Sequence, residues 1–284
     1  MTTVGRVEIT DLLWCRDEHR VRQPVLRSQV VARLEASGQR RAARIVARMP
    51  ASDDVLDPEH VDVLAVRVHC ELQRLAEELQ FGRRVAALLR PEVQRLREQA
   101  PGPVRVVDVG CGLGFLVRSL AHEQALGPGV ELVGVDLNDA LVDEAARLAV
   151  VERLDCRFVH GDAFTPGTAV DDGARTLVIS TGLLHHLDRD ELVTFFRAQS
   201  DLGAAVFAHW DIAPCVWARP ATRPLCSRAR AGSHGPSTWC GRSWGGCREG
   251  GRGRRRSGRG RAARRVVRRL PRVTRPHRPG RPPP

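Results

Sequence analysis

The stretch Val106–Phe115 reads VVDVGCGLGF, an apolar run that ends in glycines at every second position. Val104–Val109 has the near-continuous, β-branched character of a strand buried on both faces. Gly110-Cys111-Gly112-Leu113-Gly114 is turn material, and Phe115–Ala121 resumes with helical spacing. A chain that passes from buried strand to helix in this way leaves the first helical amides unbonded at the turn, where the positive end of the helix dipole also lies. Glycines there allow positive φ and let a ligand approach the backbone closely.

The rest of the chain is organised around that turn. After Pro101-Gly102-Pro103, the runs VRVVDVG, ELVGVDL, CRFVHGD, RTLVIST and AAVFAHWDI alternate with helical segments. This alternation predicts an α/β core over residues 101–212, a parallel sheet with crossover helices on both faces. Upstream, Asp57-Pro58-Glu59 has the form of an N-cap, a first-turn proline and an acidic first turn. Val61, Leu64, Val68, Leu72, Leu75 and Leu79 follow at steps of three and four, which predicts an amphipathic helix running toward Arg90 and stopped near Pro91. Residues 11–48 also have helical spacing, interrupted near Pro24, so residues 1–100 are expected to form a helical N-terminal region.

Charge divides the chain again. Residues 1–212 carry 25 Arg against 32 acidic residues, whereas residues 213–284 carry 20 Arg against Glu249 alone. In that last segment 21 of 72 residues are Gly or Pro and six are Leu, Ile, Val or Phe, a composition too poor in apolar groups to bury a core. Residues 213–284 are therefore expected to be a disordered basic tail. Its GGRGRRRSGRGR run would attract any polyanion in a salt-dependent way. No aromatic residue follows Trp244 to supply a stacking platform, so no specific nucleic-acid partner is expected. Every basic residue is Arg and Tyr is absent, a bias that suits a gene very rich in G and C. The abrupt change of composition fits a shift of reading frame near codon 214.

Other classes are narrowed by what the chain contains. The first twenty residues do not read as a secretory signal, and no apolar run is long enough to span a bilayer, so a soluble, non-membrane protein is expected. The eight cysteines form no CxxC pair and have no zinc-ligand spacing, which points to a reduced, cytoplasmic compartment and no metal. A phosphate-binding P-loop is excluded because the chain has no Lys. The dinucleotide fingerprint GxGxxG would need glycine where Phe115 stands. Asp136 ends the strand ELVGVD, 28 positions after Asp108, where a carboxylate can accept hydrogen bonds from both hydroxyls of a ribose.

At these residues the sequence resembles the class I S-adenosylmethionine-dependent methyltransferases, in their small-molecule form. The resemblance rests on VVDVGCGLG (106–114), VGVDLN (133–138), FVHGDAF (158–164) and ISTGLLHHL (179–187), in the family's order, and covers residues 104–212. It implies a Rossmann-like sheet of spatial order 3-2-1-4-5-7-6 and S-adenosyl-L-methionine as cofactor. Gly110, Gly112 and Gly114 would line the methionine moiety, with Asp108 near its amino group. Asp136 would hold the ribose, Leu137 would pack on adenine, Asp162 and Ala163 would meet the adenine edge, and Thr181 would sit beside the methionine part. Asp162 has a second reading, as the cap of a turn.

The sequence supplies candidates for only five of the seven strands, so AAVFAHW would be left as an apolar edge. Methyl transfer needs an acceptor held in line and, for a hydroxyl acceptor, a base. His185 is the candidate base, with His186 beside it, and the other reading of either is a structural residue at a helix start. No Asn/Asp-Pro-Pro-aromatic tetrapeptide follows the fourth strand, which favours a small-molecule acceptor over DNA bases or protein glutamine. The N-terminal helices would be its lid, or a packing or oligomer contact. The expected function is methyl transfer to a small molecule, the alternative being cofactor binding without turnover on a truncated sheet.

Overall fold

A computed structural model describes residues 12–15, 21–167 and 175–211. The basic tail expected over residues 213–284 lies outside the described residues, as would any sixth and seventh strand.

The N-terminal region has its own core. Helices α1 (Arg27–Ala36) and α2 (Arg40–Val46) and a short antiparallel hairpin, β1 (Ala51–Ser52) and β2 (Val55–Leu56), enclose Leu12, Leu13, Val30, Leu34, Val46, Met49 and Leu56. The hairpin was not expected from the sequence. Its two-residue turn is Asp53-Asp54 with φ of 48° and 67°, a shape that normally selects Asn-Gly or Asp-Gly. Asp54 is held there by its other role, accepting a hydrogen bond from the Ser28 amide at the start of α1.

Helix α3 (Pro58–Glu78) starts as the sequence indicates, with Asp57 accepting from the Glu59 amide at 3.0 Å. Its end differs from expectation. The helix stops at Glu78 because Gln80 turns left-handed at φ 51°, and α4 (Phe81–Gln99) then runs on through Pro91. Pro91 cannot bond the carbonyl of Ala87, but both residues lie on the exposed face, where the carbonyl is open to solvent. The opposite face buries Val85, Ala86, Leu89, Val93 and Leu96, which outweighs the loss. Of the expected α3 stripe only Val61 is buried, and Leu72 and Leu79 are exposed among the described residues.

The α/β core follows as the alternation predicts: β3 (Val104–Val109), α5 (Phe115–His122), β4 (Val130–Asp136), α6 (Asp139–Glu152), β5 (Arg157–His160), β6 (Thr176–Thr181), α7 (Arg189–Asp201) and β7 (Val206–Trp210). The five strands are parallel in the order β5-β4-β3-β6-β7, the first five positions of the order named above. One face of the sheet packs Val104, Val106, Leu132, Leu177 and Ile179 against α4 and α5. The other packs Val107, Val109, Val133, Val135 and Val178 against Phe195 of α7. On β7, His209 is enclosed by the Phe195 and Phe196 rings, and burial pulls its pKa down to about 4. It is therefore neutral and accepts or donates only locally, through Nδ1 to Ser180 Oγ at 2.8 Å. Among the described residues no helix is long and apolar enough to cross a membrane.

Candidate functional site

In a doubly wound sheet, ligands bind beyond the carboxyl ends of the strands where the strand order reverses. Here that point lies between β3 and β6, and the glycine turn occupies it. Gly110, Gly112 and Gly114 all have positive φ, at 70°, 55° and 65°. The amides of Gly110 and Cys111 both donate to the Val135 carbonyl at 2.8 and 3.0 Å, folding the turn across the end of β4.

Asp136 completes that arrangement. Its Oδ2 accepts from the Gly112 amide at 2.7 Å and its Oδ1 from the Asn138 amide at 2.9 Å. The carboxylate thus ties the glycine turn to the end of β4, while each oxygen keeps a lone pair for another donor. Asn138 caps α6, its Oδ1 accepting from the Leu141 amide at 3.3 Å.

Asp108 is different. It is 1% exposed, and neither carboxylate oxygen has a hydrogen-bond partner among the described residues. Burial, and then the charge of Asp136, push its pKa well above the usual carboxylate range. A buried carboxyl without a partner costs free energy unless a positive group comes to it. The neighbouring Cys111 thiol is also pushed up, mainly by burial.

Three side chains that the motifs do not assign close over the glycines. A Cβ built on Gly110 would come within 3.0 Å of Leu183, and one on Gly112 within 2.6 Å of His69 Cδ2. One on Gly114 would overlap the Phe158 ring, which also fills the space above Gly134. His69 comes from α3, so the N-terminal helices do reach the glycine turn. Its Nδ1 donates to the Ala65 carbonyl at 2.9 Å, one turn back along the helix. The sequence carries no local sign of this contact, because His69 stands 43 residues before Gly112.

The remaining candidates lie around this centre. The Leu137 carbonyl accepts from His160 Nε2 at 2.8 Å, and that nitrogen is also 2.8 Å from Asp139. Asp162 caps a turn, its Oδ1 accepting from the Phe164 amide at 2.8 Å. Ala163 packs in one cluster with Leu183 and Leu184, and its carbonyl accepts from Gln199. Thr181 ends β6 in register with Trp210. His185 follows in a 3-10 turn, Leu184–His186, with its ring 4.0 Å from that of His186. Its Nδ1 lies 2.7 Å from Asp211 Oδ1, a partner the sequence reading missed. Among the described residues no cluster of His, Cys, Asp or Glu could hold a metal ion.

The family model of the methyltransferase domain matches residues 106–202. Among solved structures, the chain is 25% identical to a protein from a study of the conversion of a disulfide bond into a thioacetal group during echinomycin biosynthesis. That match covers 47% of this chain and 55% of the other, with a TM-score of 0.36. The magnesium protoporphyrin IX methyltransferase of Synechocystis PCC 6803, solved with bound SAH, is 22% identical over 71% of this chain and 78% of its own, with a TM-score of 0.38. A SAM-dependent methyltransferase from Aquifex aeolicus is 16% identical over 48% of this chain and 77% of its own, with a TM-score of 0.34. The chain thus spans about half the length of the first of these proteins. Residues 106–202, which carry the glycine turn and the acidic end of β4, are thus similar to the methyltransferase domain family.

Proposed function

We propose that this chain transfers the methyl group of S-adenosylmethionine to a small-molecule acceptor, using the glycine turn and the two aspartates as the cofactor cradle. The observation that carries the reading is Asp108: a buried carboxyl with no partner among the described residues, just before the glycine turn, is matched by the ammonium of an amino-acid ligand. Gly110, Gly112 and Gly114 then border the methionine part. The spare lone pairs of Asp136 accept from the ribose hydroxyls, Leu137 packs on adenine, and Ala163 with Asp162 borders its edge. Thr181 lies on the methionine side, and His69 covers the turn from α3. The sulfonium activates the methyl group itself, so the protein's work is to orient the acceptor, exclude water and take up any proton.

Calorimetric titration of the full chain with S-adenosylmethionine tests the cradle. Asp136→Ala removes a carboxylate that both organises the turn and meets the ligand, at roughly 1.5–3 kcal/mol for each charge-assisted hydrogen bond. Affinity should fall about a hundredfold, and an unchanged value would remove Asp136 from the site.

The same experiment reads Asp108 through protons. Its pKa is raised in the free protein, and an ammonium beside it favours the ionised form, so binding expels whatever proton the carboxyl carries. Affinity should therefore rise as pH climbs through that raised pKa and level off above it. Titrations over a series of pH values in buffers of different ionisation enthalpy should show proton release that Asp108→Asn abolishes. Binding with no proton release in the wild-type chain would place the ammonium elsewhere.

A further inference from the structure

Asp211 follows β7 directly and closes on the loop after β6. Its Oδ1 accepts from His185 Nδ1 at 2.7 Å, and its Oδ2 accepts from the His185 backbone amide at 2.8 Å. One carboxylate thus fixes both the ring and the loop that bears it, and the two side chains are 28% and 17% exposed. A carboxylate on Nδ1 keeps the hydrogen there, leaves Nε2 as a proton acceptor and stabilises the imidazolium that forms when a proton arrives. Nε2 makes no hydrogen bond among the described residues, while Leu183 in the same loop packs over Gly110. Three other histidines among the described residues lack this arrangement. His160 spends Nε2 on Leu137 and Asp139, His209 is buried among phenylalanines, and His69 has a carbonyl rather than a carboxylate on Nδ1.

We infer that His185 is the catalytic base of this site with Asp211 as its positioning residue, and that the acceptor presents a hydroxyl group. The inference rests on the methyl-transfer reading above. A thiol or carboxylic acid reaches a site near neutral pH wholly or partly ionised, and a neutral amine attacks through a free lone pair and sheds its proton afterwards. A hydroxyl, with a pKa of about 10 or higher, must lose its proton as the new bond forms. The O–H proton passes to His185 Nε2 while the oxygen lone pair forms the O–CH3 bond. The C–S bond breaks with its electron pair going to sulfur, giving S-adenosylhomocysteine, and the imidazolium later returns its proton to water.

The test uses the full chain, S-adenosylmethionine and four probes: catechol as a neutral hydroxyl, pentafluorophenol as a hydroxyl already ionised at neutral pH, benzenethiol and benzylamine. Catechol should be methylated. For that probe His185→Gln should lower kcat about a hundredfold and Asp211→Asn about tenfold. KM and the S-adenosylmethionine affinity should stay within about twofold, which also shows that the variants fold. With pentafluorophenol, which needs no base, the loss in His185→Gln should be under about threefold. Equal losses for the two phenols, turnover confined to the thiol or the amine, or no turnover of any probe by a chain that binds S-adenosylmethionine would each overturn the inference and leave the cofactor cradle standing. Failure to bind S-adenosylmethionine would instead overturn the methyl-transfer reading, and this inference with it.

Discussion

Replacing Arg118 with leucine should lower the unfolding free energy by about 3–5 kcal/mol, because it leaves a charge buried without its partner. Arg118 is 1% exposed and lies in α5, whose other buried residues are Leu116, Val117, Ser119 and Leu120. Its NH1 reaches both oxygens of Glu152 at the end of α6, at 2.6 and 2.8 Å, and its NH2 donates to Gln73 of α3. A fourth bond, from Nε to the Leu113 carbonyl at 3.2 Å, ends on the glycine turn itself. One guanidinium therefore joins the N-terminal helix, the turn and the helix after β4.

The size of the effect follows from what remains. Glu152 is 9% exposed at its side chain, so in Arg118→Leu its carboxylate must be solvated by a structural opening or take up a proton. Removing both charges avoids that, and Arg118→Leu/Glu152→Leu should recover most of the loss, since an apolar pair of similar volume often matches a buried ion pair. Urea denaturation of the wild-type chain and the two variants checks the pattern. A single-variant loss below about 1 kcal/mol, the range of exposed pairs, would mean that water reaches this site freely. The pairing also has a functional edge: with Gln73 released, α3 loses a tie to the core close to the point where His69 covers Gly112.

How much of this was legible in the sequence depends on the range over which each feature is decided. The strands were legible because β-branched runs such as VRVV and TLVI can satisfy few other environments, and the α3 start because Asp57, Pro58 and Glu59 each act within one turn. The glycine turn was legible because three residues in left-handed φ leave few alternatives to glycine. The end of α3 was hidden, since Gln80 adopts a left-handed conformation that its side chain does not announce. Pro91 misled for the opposite reason: a local rule against proline in helices was overridden by the apolar face that α4 buries. The contacts of Asp211 and His69 could not be read at all. The first meets His185 across 26 positions, and the second meets Gly112 across 43, through a helix packing that no local pattern encodes.

Gly114→Ala should be the most damaging of the single-methyl additions at the site, at about 2–5 kcal/mol. Two costs combine there. Left-handed backbone costs a residue with a Cβ roughly 1–2 kcal/mol, and forcing an extra carbon into a packed place costs about 1–3 kcal/mol more. The second cost is high because the Phe158 ring is confined on two sides: it lies against both Gly114 and Gly134, and a Cβ on Gly134 would itself come within 2.5 Å of the ring. Gly38 separates the two contributions. Its φ is +75°, close to that of Gly114 at +65°, yet a Cβ there would meet nothing within 4 Å. Gly38→Ala should therefore show the backbone cost alone, and the difference between the two variants in urea denaturation measures the packing at the turn. If the two losses are equal, Phe158 yields freely and the close fit of β5 against the glycine turn does not constrain it. If Gly114→Ala alone shows the larger loss, and Gly114→Ala/Phe158→Leu recovers part of it, the glycine is required as much by the aromatic ring behind the turn as by any ligand in front of it.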